Sequence, residues 1–465
     1  MMPGSRVRGG IVVLVVGTVW LWGQSHIPDA RSLGLAGAVT TLAEGIHAVG
    51  YNPANLAYST KDYYMNLGGF AYTLENNLLS IESYNEFNGA DFVDTLSADY
   101  VNKGEWLAGL PDDGLRLRTI LHFPVPGINW SRGITAFSSE VVVFGDLGLP
   151  KGLFDLMMAG NTIGDSLDLD LNEELQGAVE WSFSFAVPTG GAAFGFTLKY
   201  LQGLFHLGVD QDSSSGYFLT DTTGFEGEGR YLIRQAIGGS GFGLDIGFAT
   251  EEIDGYRFGI SLINALGRVR WHGPSLTKDL LGGIIEGLMP WRENEYFLYT
   301  YQVKEITAFD YLQGDPPDSL FQNESYTVIE TDTGLVRSKK LTSAELEDIN
   351  LKPFVTDYPT LFRMGVSKRI EEFGLVSVDL ITGFGDYLWA SRGWQLLVGA
   401  EILSAPSFPL RMGLRYGGAD RTQLSIGFGI HKGPLQFDMG MSLHNGIWLH
   451  TTKGFSLALG LTLVR

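Results

Sequence analysis

An all-β fold, a transmembrane antiparallel β-barrel of about 14 strands with a small N-terminal plug segment, is what this sequence predicts, and three observations predict it. Charged residues are scarce while glycine is plentiful. Apolar residues alternate with small or polar ones along most of the chain. A stretch behind a leader-like N-terminus does not alternate at all.

Composition narrows the class first. Hydrophobic residues make up 45% of the 465 and charged residues 18%, against roughly 25% charged in ordinary soluble domains. The 62 glycines suit strands that must sit close to other backbone. With no cysteine, neither a disulfide framework, a thiolate metal site nor a lipidated cysteine is available, and no cofactor is expected. The formal charge of −20 becomes −22 once a leader carrying Arg6 and Arg8 is removed. An acidic chain without a basic cluster argues against nucleic acid as a partner. Residues 1–24 read as a secretory signal: Arg6 and Arg8 give the charged start, Ile11 to Trp22 the apolar stretch, and Gly23 a small residue near cleavage.

Alternation carries the fold. In the last segment Phe455, Leu457, Leu459, Leu461 and Leu463 share one face and Ser456, Ala458, Gly460 and Thr462 the other. Leu435 to Leu443 and Leu424 to Ile430 repeat the pattern, as do segments around Trp181, Phe194, Phe242 and Tyr256. This is the period-2 signature of strands with unlike faces. A soluble sandwich carries Lys, Glu and Thr outward, whereas here the second face is mostly Gly, Ser and Ala. In lipid the apolar face points out and the polar face lines the interior. Such strands must close, because unpaired backbone groups in hydrocarbon cost several kcal/mol each. Gly433-Pro434 and Gly417-Gly418-Ala419-Asp420 supply turns. Trp106, Trp130, Trp271, Trp389, Trp394 and Trp448, at segment ends, suit interfacial girdles.

Residues 25–60 do not alternate and are rich in small residues, including Gly34 and Gly37. Small residues allow close backbone packing in a confined lumen, and Asn52-Pro53-Ala54 has the chemistry of a helix start, with Asn as N-cap and Pro at the first position. Composition alone fits a lumenal hatch and an ordinary surface loop before the barrel equally; the domains expected are a signal at 1–24, a hatch or plug at 25–60, and a barrel at 61–465 with long outer loops that include 273–357.

The stretch from Ala30-Arg31-Ser32-Leu33-Gly34-Leu35-Ala36-Gly37-Ala38 through Ala48 to Tyr51-Asn52-Pro53-Ala54-Asn55-Leu56 resembles the N-terminal signature of the FadL/PorV-like outer-membrane β-barrel superfamily. That group includes long-chain fatty acid transporters of the OMPP1/FadL/TodX type and PorV-type components of a secretion machinery. Gly241 to Gly247 with Ser261 to Asn264, and Pro409 to Gly418, extend the resemblance to the middle and end of the chain. Asn55 stands where many relatives have Gly. The resemblance implies a 14-stranded barrel in the outer membrane of a diderm bacterium, with the N-terminal segment folded back into the lumen as a hatch. It also implies passive transport of a hydrophobic or amphipathic small molecule, with Arg31, Gly34, Gly37, Asn52, Pro53 and Ala54 as plug or gating residues. The alternative it implies is a PorV-like scaffold that binds secretion-machinery or surface proteins through its outer loops. In either case outer-membrane lipid is a partner.

Charges on the inward faces are the informative ones: Glu180, Lys199, Asp245, Arg257, Arg363, Asp379, Glu401, Arg411, Arg415 and Asp438. Mixed signs there can pair across the lumen and hold a plug. Insertions near 85–114, 147–175, 206–228 and 273–357 are too polar or irregular to be membrane strands throughout. Ser275 to Met289 reads as an amphipathic helix within the last of them. No H-E-x-x-H, G-x-S-x-G or Walker pattern occurs. His431 and His444 fit a hydrogen-bonded lumen better than a metal site, and the cluster Asp165, Asp168, Asp170, Glu173 and Glu174 has no calcium-loop spacing. Neither catalysis nor a bound metal is expected.

Overall fold

A computed structural model describes residues 29–160, 162–222, 224–271, 295–307, 321–331, 334–337, 353–384, 393–418 and 422–465. The leader at 1–24, the amphipathic helix expected at Ser275–Met289 and Trp389 lie outside the described residues.

The alternating segments become antiparallel strands, and the strands close on themselves. In chain order they are β1 (Tyr63–Asn76), β2 (Leu115–Pro124), β3 (Trp130–Arg132), β4 (Thr135–Leu149), β5 (Ser166–Asp168), β6 (Asn172–Thr189), β7 (Ala192–Val209), β8 (Ser215–Thr220), β9 (Gly224–Thr250), β10 (Tyr256–Trp271) and β11 (Glu295–Thr307). Then follow β12 (Phe321–Thr331), β13 (Gly334–Arg337), β14 (Phe354–Asp357), β15 (Leu361–Ile370), β16 (Gly374–Gly383), β17 (Gln395–Ile402), β18 (Leu410–Gly417), β19 (Thr422–Lys432), β20 (Leu435–His444) and β21 (Gly454–Val464).

The ring is completed by β1 pairing with β21, from Tyr64 opposite Val464 to Glu75 opposite Gly454. Fourteen membrane staves result, because β2 with β3, and β14 with β15, are each one stave broken in the middle. The remaining five strands, β5, β8, β11, β12 and β13, build a sheet on the upper part of the 27-residue β9. The connections at one end of the barrel, where β1 starts and β21 ends, have at most seven residues, and all the long connections lie at the other, together with the short β18–β19 link. Parts of the polar insertions are upward extensions of β4, β6, β7 and β9. The rest includes three short helices, α2 (Ile81–Phe87), α3 (Lys103–Ala108) and α4 (Lys151–Met158), numbered after α1 (Ala30–Gly34) of the plug.

The apolar face points away from the ring. On β19, Leu424, Ile426, Phe428 and Ile430 are exposed while Gln423 and Ser425 are buried inside. Phe242 is 72% exposed and Met412 55%, fractions that no water-soluble core residue shows. This inversion is the arrangement of a barrel whose outside meets acyl chains.

The broken staves are closed by side chains. Between β2 and β3, Asn129 accepts at Oδ1 from Ser139 N at 2.6 Å, and Gly127 N donates to Asn66 O at 3.0 Å. Between β14 and β15, Asn264 donates from Nδ2 to Pro359 O at 3.2 Å, and Thr360 Oγ1 donates to Asn264 O at 2.9 Å. Asn264 and Leu266 sit there at φ 54° and 61°. The left-handed backbone takes up the register shift of β10, and the side chains replace ladder bonds the backbone cannot make.

Two of the tryptophans expected in the girdles lie elsewhere. Trp271 is fully buried inside the barrel, and Trp106 of α3 packs on Phe87 and Phe154 among the outer helices. Position at a strand end was the only signal for both, and the facing parity of β10 turns Trp271 inward. Trp394 and Trp448 are exposed at the long-loop end, and Trp130 is half-buried at the short-turn end.

A charge placed on the lipid face tests this orientation. Ile426→Arg, in the middle of β19, is expected to lower stability in liposomes by about 2–4 kcal/mol, measured by urea unfolding. An unchanged midpoint would mean that Ile426 does not face lipid.

Candidate functional site: the plug and the cavities beside it

In the plug, Asp29 caps α1, its side chain accepting from Ser32 N at 3.0 Å. Ala36 and Gly37, at φ 52° and 83°, turn the chain back. Two 3₁₀ turns follow, Gly45–Ala48 and Pro53–Tyr58. The helix start expected at Asn52-Pro53-Ala54 is the second of these, with Asn52 Oδ1 accepting from Ala54 N at 3.1 Å. Asn52 Nδ2 also donates to Thr40 O at 3.2 Å and to Phe248 O of the wall at 3.0 Å. Asn55 donates to the same Thr40 carbonyl at 3.0 Å, so one plug carbonyl is held by two amides. Ser32 and Tyr51 share a hydroxyl contact, and burial raises the Tyr51 phenol well above its ordinary range, which keeps it protonated.

Wall glycines let this segment lie against the strands backbone to backbone. A Cβ on Gly195 would stand 2.0 Å from Ala54 N, one on Gly413 2.4 Å from Leu35 C, one on Gly440 2.5 Å from Ala30 O and one on Gly427 3.0 Å from Gly34 Cα. These positions pair across the ladder, Gly195 with Gly247, Gly399 with Gly413 and Gly427 with Gly440. The high glycine content thus has a local cause in the seat of the plug.

Charges fix the seat. Arg31 makes a two-pronged contact with Glu401, at 3.1 Å and 2.7 Å, and donates to Leu42 O at 3.1 Å. Arg411 donates to Glu401 at 2.7 Å and to Asp438 at 2.6 Å, and His431 lies 3.1 Å from Asp438. On the other side of α1, Arg363 reaches Gly37 O at 2.7 Å, Thr40 Oγ1 at 3.0 Å and Asp379 at 3.3 Å, and Asp379 accepts from Thr40 N at 2.8 Å. Arg257 donates to Thr41 O at 3.4 Å, and Arg415 reaches Ala36 O at 3.5 Å.

A second charged group lies away from the plug. Lys199 stands 3.2 Å from Asp245 and 3.6 Å from Glu180, and donates to Asn264 Oδ1 at 2.7 Å, while Tyr358 donates to Glu180. Phe144 of β4 meets Tyr358 across the lumen at 6.2 Å, with Leu201, Leu232, Trp271 and Phe354 in the same apolar cluster. The arc from β4 to β15 is therefore solid inside.

The opposite arc is hollow at both ends. At the long-loop end a cavity of about 1010 Å3 is bordered by Glu75, Asn76, Arg116, Arg118, Asn445 and Lys453. At the short-turn end a cavity of about 260 Å3 lies between the plug and the wall, with Arg31, Glu44, His47, Gly69, His122 and Gly460 on its border.

All ten charged residues expected inside are found there. Arg31, Gly34, Gly37, Asn52, Pro53 and Ala54 all belong to the inserted segment. The structure divides the charged residues in two: Arg257, Arg363, Asp379, Glu401, Arg411, Arg415 and Asp438 surround the plug, whereas Glu180, Lys199 and Asp245 tie wall to wall. Sequence reasoning missed Thr40, Tyr51 and Tyr358. Tyr358 sits at a stave break, where period-2 parity gives no guide. Asp168 and Asp170 of the acidic cluster hold local backbone, accepting from Asp170 N and Gly216 N, each at 2.8 Å.

The class defined by this geometry is a plugged transmembrane β-barrel, the architecture that the FadL/PorV-like resemblance implied. Residues 53–284 match a family described as "Family of unknown function (DUF5723)". No curated protein matches the sequence. Among solved structures the chain is similar to the toluene transporter TbuX of Ralstonia pickettii, at 13% identity and TM-score 0.49 over 95% of this chain and 99% of that one. It is similar to a Pseudomonas aeruginosa FadL homologue at 13% identity and TM-score 0.46, over 95% and 100%. A similarity to the CymD monoaromatic hydrocarbon channel has 11% identity and TM-score 0.44, over 95% and 98%.

Two variants test how the plug is held. Asp379→Ala leaves the fully buried Arg363 without its carboxylate and is expected to cost about 3–5 kcal/mol. Gly413→Ala is expected to cost about 1–3 kcal/mol by pushing Leu35 off its seat, and Glu252→Ala, which breaks a surface pair, no more than about 1 kcal/mol. Thermal unfolding in detergent reads all three, and equal midpoints would refute the assignment.

Proposed function

We propose that this protein is a passive transporter in the outer membrane for small hydrophobic or amphipathic molecules. The observation that carries the reading is the uneven filling of the barrel: a plug seated on wall glycines leaves a cavity at each end of the lumen, the inner one bordered by plug and wall together. A barrel needed only as an anchor gains nothing from two cavities that face each other past a plug. The long loops at one end put that end outside the cell, so the larger cavity is the outer one. Close to it, Phe87, Phe92, Trp106 and Phe154 form an aromatic cluster on the outer helices. Exposed Ile81, Tyr84, Val93 and Leu96 extend that surface, as an apolar collecting surface does.

In this reading Arg31, Gly34, Gly37, Asn52, Pro53 and Ala54 regulate passage by holding the plug. No nucleophile and base are assigned, and the acidic surface leaves nucleic acid without a docking site. The scaffold reading rests on the insertion at 273–357, most of which lies outside the described residues, and no specific observation favours it.

Reconstitution tests the proposal. Proteoliposomes are expected to take up a dansyl-labelled short carboxylic acid faster than protein-free liposomes, and removal of residues 30–57 is expected to change that rate at least several-fold. Uptake equal to that of empty liposomes, unchanged by the deletion, would end the transport reading.

A further inference from the structure

The two cavities border the same stretch of wall. The inward positions of β1 run from Glu75 through Thr73 and Ala71 to Gly69; Glu75 borders the outer cavity and Gly69 the inner one. That span is about 20 Å along the strand. Beside it β21 offers Ser456, Ala458 and Gly460, and β20 offers His444, Ser442 and Gly440. These residues are small or hydrogen-bonding.

They form one connected polar line. His444 Nδ1 lies 3.5 Å from Glu75, and its Nε2 is 2.7 Å from Ser456 Oγ and 3.2 Å from Ser442 Oγ. Ser456 Oγ is 2.5 Å from Thr73 Oγ1. The line ends where Leu33 and Ala30 of α1 pack on Ala71 and Ala458, and beyond them Gly69 and Gly460 leave room down to the inner cavity. Gly440 faces the same point, its missing Cβ 3.1 Å from Leu33 Cβ. The plug's ion pairs lie on β15 to β20, so towards β21 and β1 the helix α1 closes the gap with the apolar contacts of Leu33 and Ala30, beside the backbone seat of Ala30 on Gly440.

We propose that solutes cross along the β20–β21–β1–β2 arc, in a lane that selects small hydrogen-bonding molecules and whose constriction is Leu33 against Ala71 and Ala458. The inference rests on the transport reading and narrows its substrate class to hydroxylated or carboxylated compounds. A bare hydrocarbon entering between Thr73, Ser442, His444 and Ser456 separates groups that bond to one another and offers nothing in return. A solute with donors and acceptors replaces those partners as it moves. Leu33 then acts as a specificity-determining closure: it presents no polar atom, and its removal opens the lane without touching an ion pair.

The chain has no cysteine, so single thiols can be placed cleanly. Ser456→Cys and Ala458→Cys lie in the lane, and Ser182→Cys, equally buried on the solid arc, is the control. In proteoliposomes the membrane-impermeant sulfonatoethyl methanethiosulfonate is expected to modify Ser456→Cys about tenfold faster than Ser182→Cys. Benzyl methanethiosulfonate, scaled to its rate with a free thiol, is expected to show a smaller preference for the lane. Adding Leu33→Ala, with Leu33→Val as a milder alternative, should raise the rate at Ala458→Cys at least severalfold while gel mobility reports an intact barrel. Equal rates on both arcs, a preference for the benzyl reagent, or no response to either Leu33 variant would overturn the proposal. Uptake is measured on the same vesicles. Uptake with an unreactive lane refutes the lane and leaves transport standing; a reactive lane without uptake refutes transport and, with it, the lane as a route for solutes.

Discussion

Hydrocarbon offers no hydrogen bonds, and this constraint shapes everything else in the molecule. A strand in lipid must pair on both edges, so the sheet has to return to its start, and β1 meets β21 along nearly its full length. Where the ladder fails, at 125–129 and at 358–360, Asn129, Asn264 and Thr360 supply the missing partners from side chains. Closure then creates a second problem. A ring of fourteen staves encloses more space than its own side chains fill, and the space must hold water, protein or both.

Two devices fill it, and they differ in kind. Along β4 to β15 the wall fills itself, with Phe144, Trp271, Phe354 and Tyr358 meeting in the middle and Lys199 standing between Glu180 and Asp245. Elsewhere the chain's own N-terminal segment is the filler. Its fit depends on what the wall lacks, since four glycines leave room for plug backbone at distances a Cβ would forbid. Charge adds direction to that fit. Arg363 reads the carbonyl of Gly37 and the hydroxyl of Thr40, and Glu401 reads the guanidinium of Arg31. A plug shifted by one residue would leave buried charges uncompensated, which is costly inside a barrel as in any protein interior.

Much of this was legible in the sequence because period-2 parity is a local property. Leu424 and Ser425 announce opposite faces whatever the rest of the chain does, and the same parity put Glu401, Arg411 and Asp438 inside before any contact was known. Parity also has limits. It fails at bulges and breaks, which is why Tyr358 was missed. It is silent at strand ends, which is why Trp271 was placed with the girdles although β10 turns it inward. It says nothing of which inward charge meets which, so the division between plug-holding residues and the Lys199 group became visible only in three dimensions. The small residues of 25–60 signalled close packing; that their counterparts are glycines from Gly195 to Gly440, far along the chain, could not be read from spacing.

The hollow arc follows from the same bookkeeping of polar groups. A self-filling arc needs large inward residues, and β4, β9, β10 and β14 supply them with Phe144, Leu232, Trp271 and Phe354. The arc of β20, β21 and β1 carries Gly, Ala, Ser and Thr at the corresponding places, which are too small to reach across. Their hydroxyls bond to one another and to His444 instead of crossing the lumen. On this side α1 packs with Leu33 and Ala30, two side chains that need no partner, while nearer the short-turn end His47 lies 3.3 Å from Thr462 and Tyr64 donates to Glu44 at 3.0 Å. The contact of Leu33 and Ala30 with Ala71 and Ala458 carries no ion pair, so it can yield while Arg31 and Arg363 keep the plug bonded. The wall's smallest residues thus mark where the barrel is least committed to being closed.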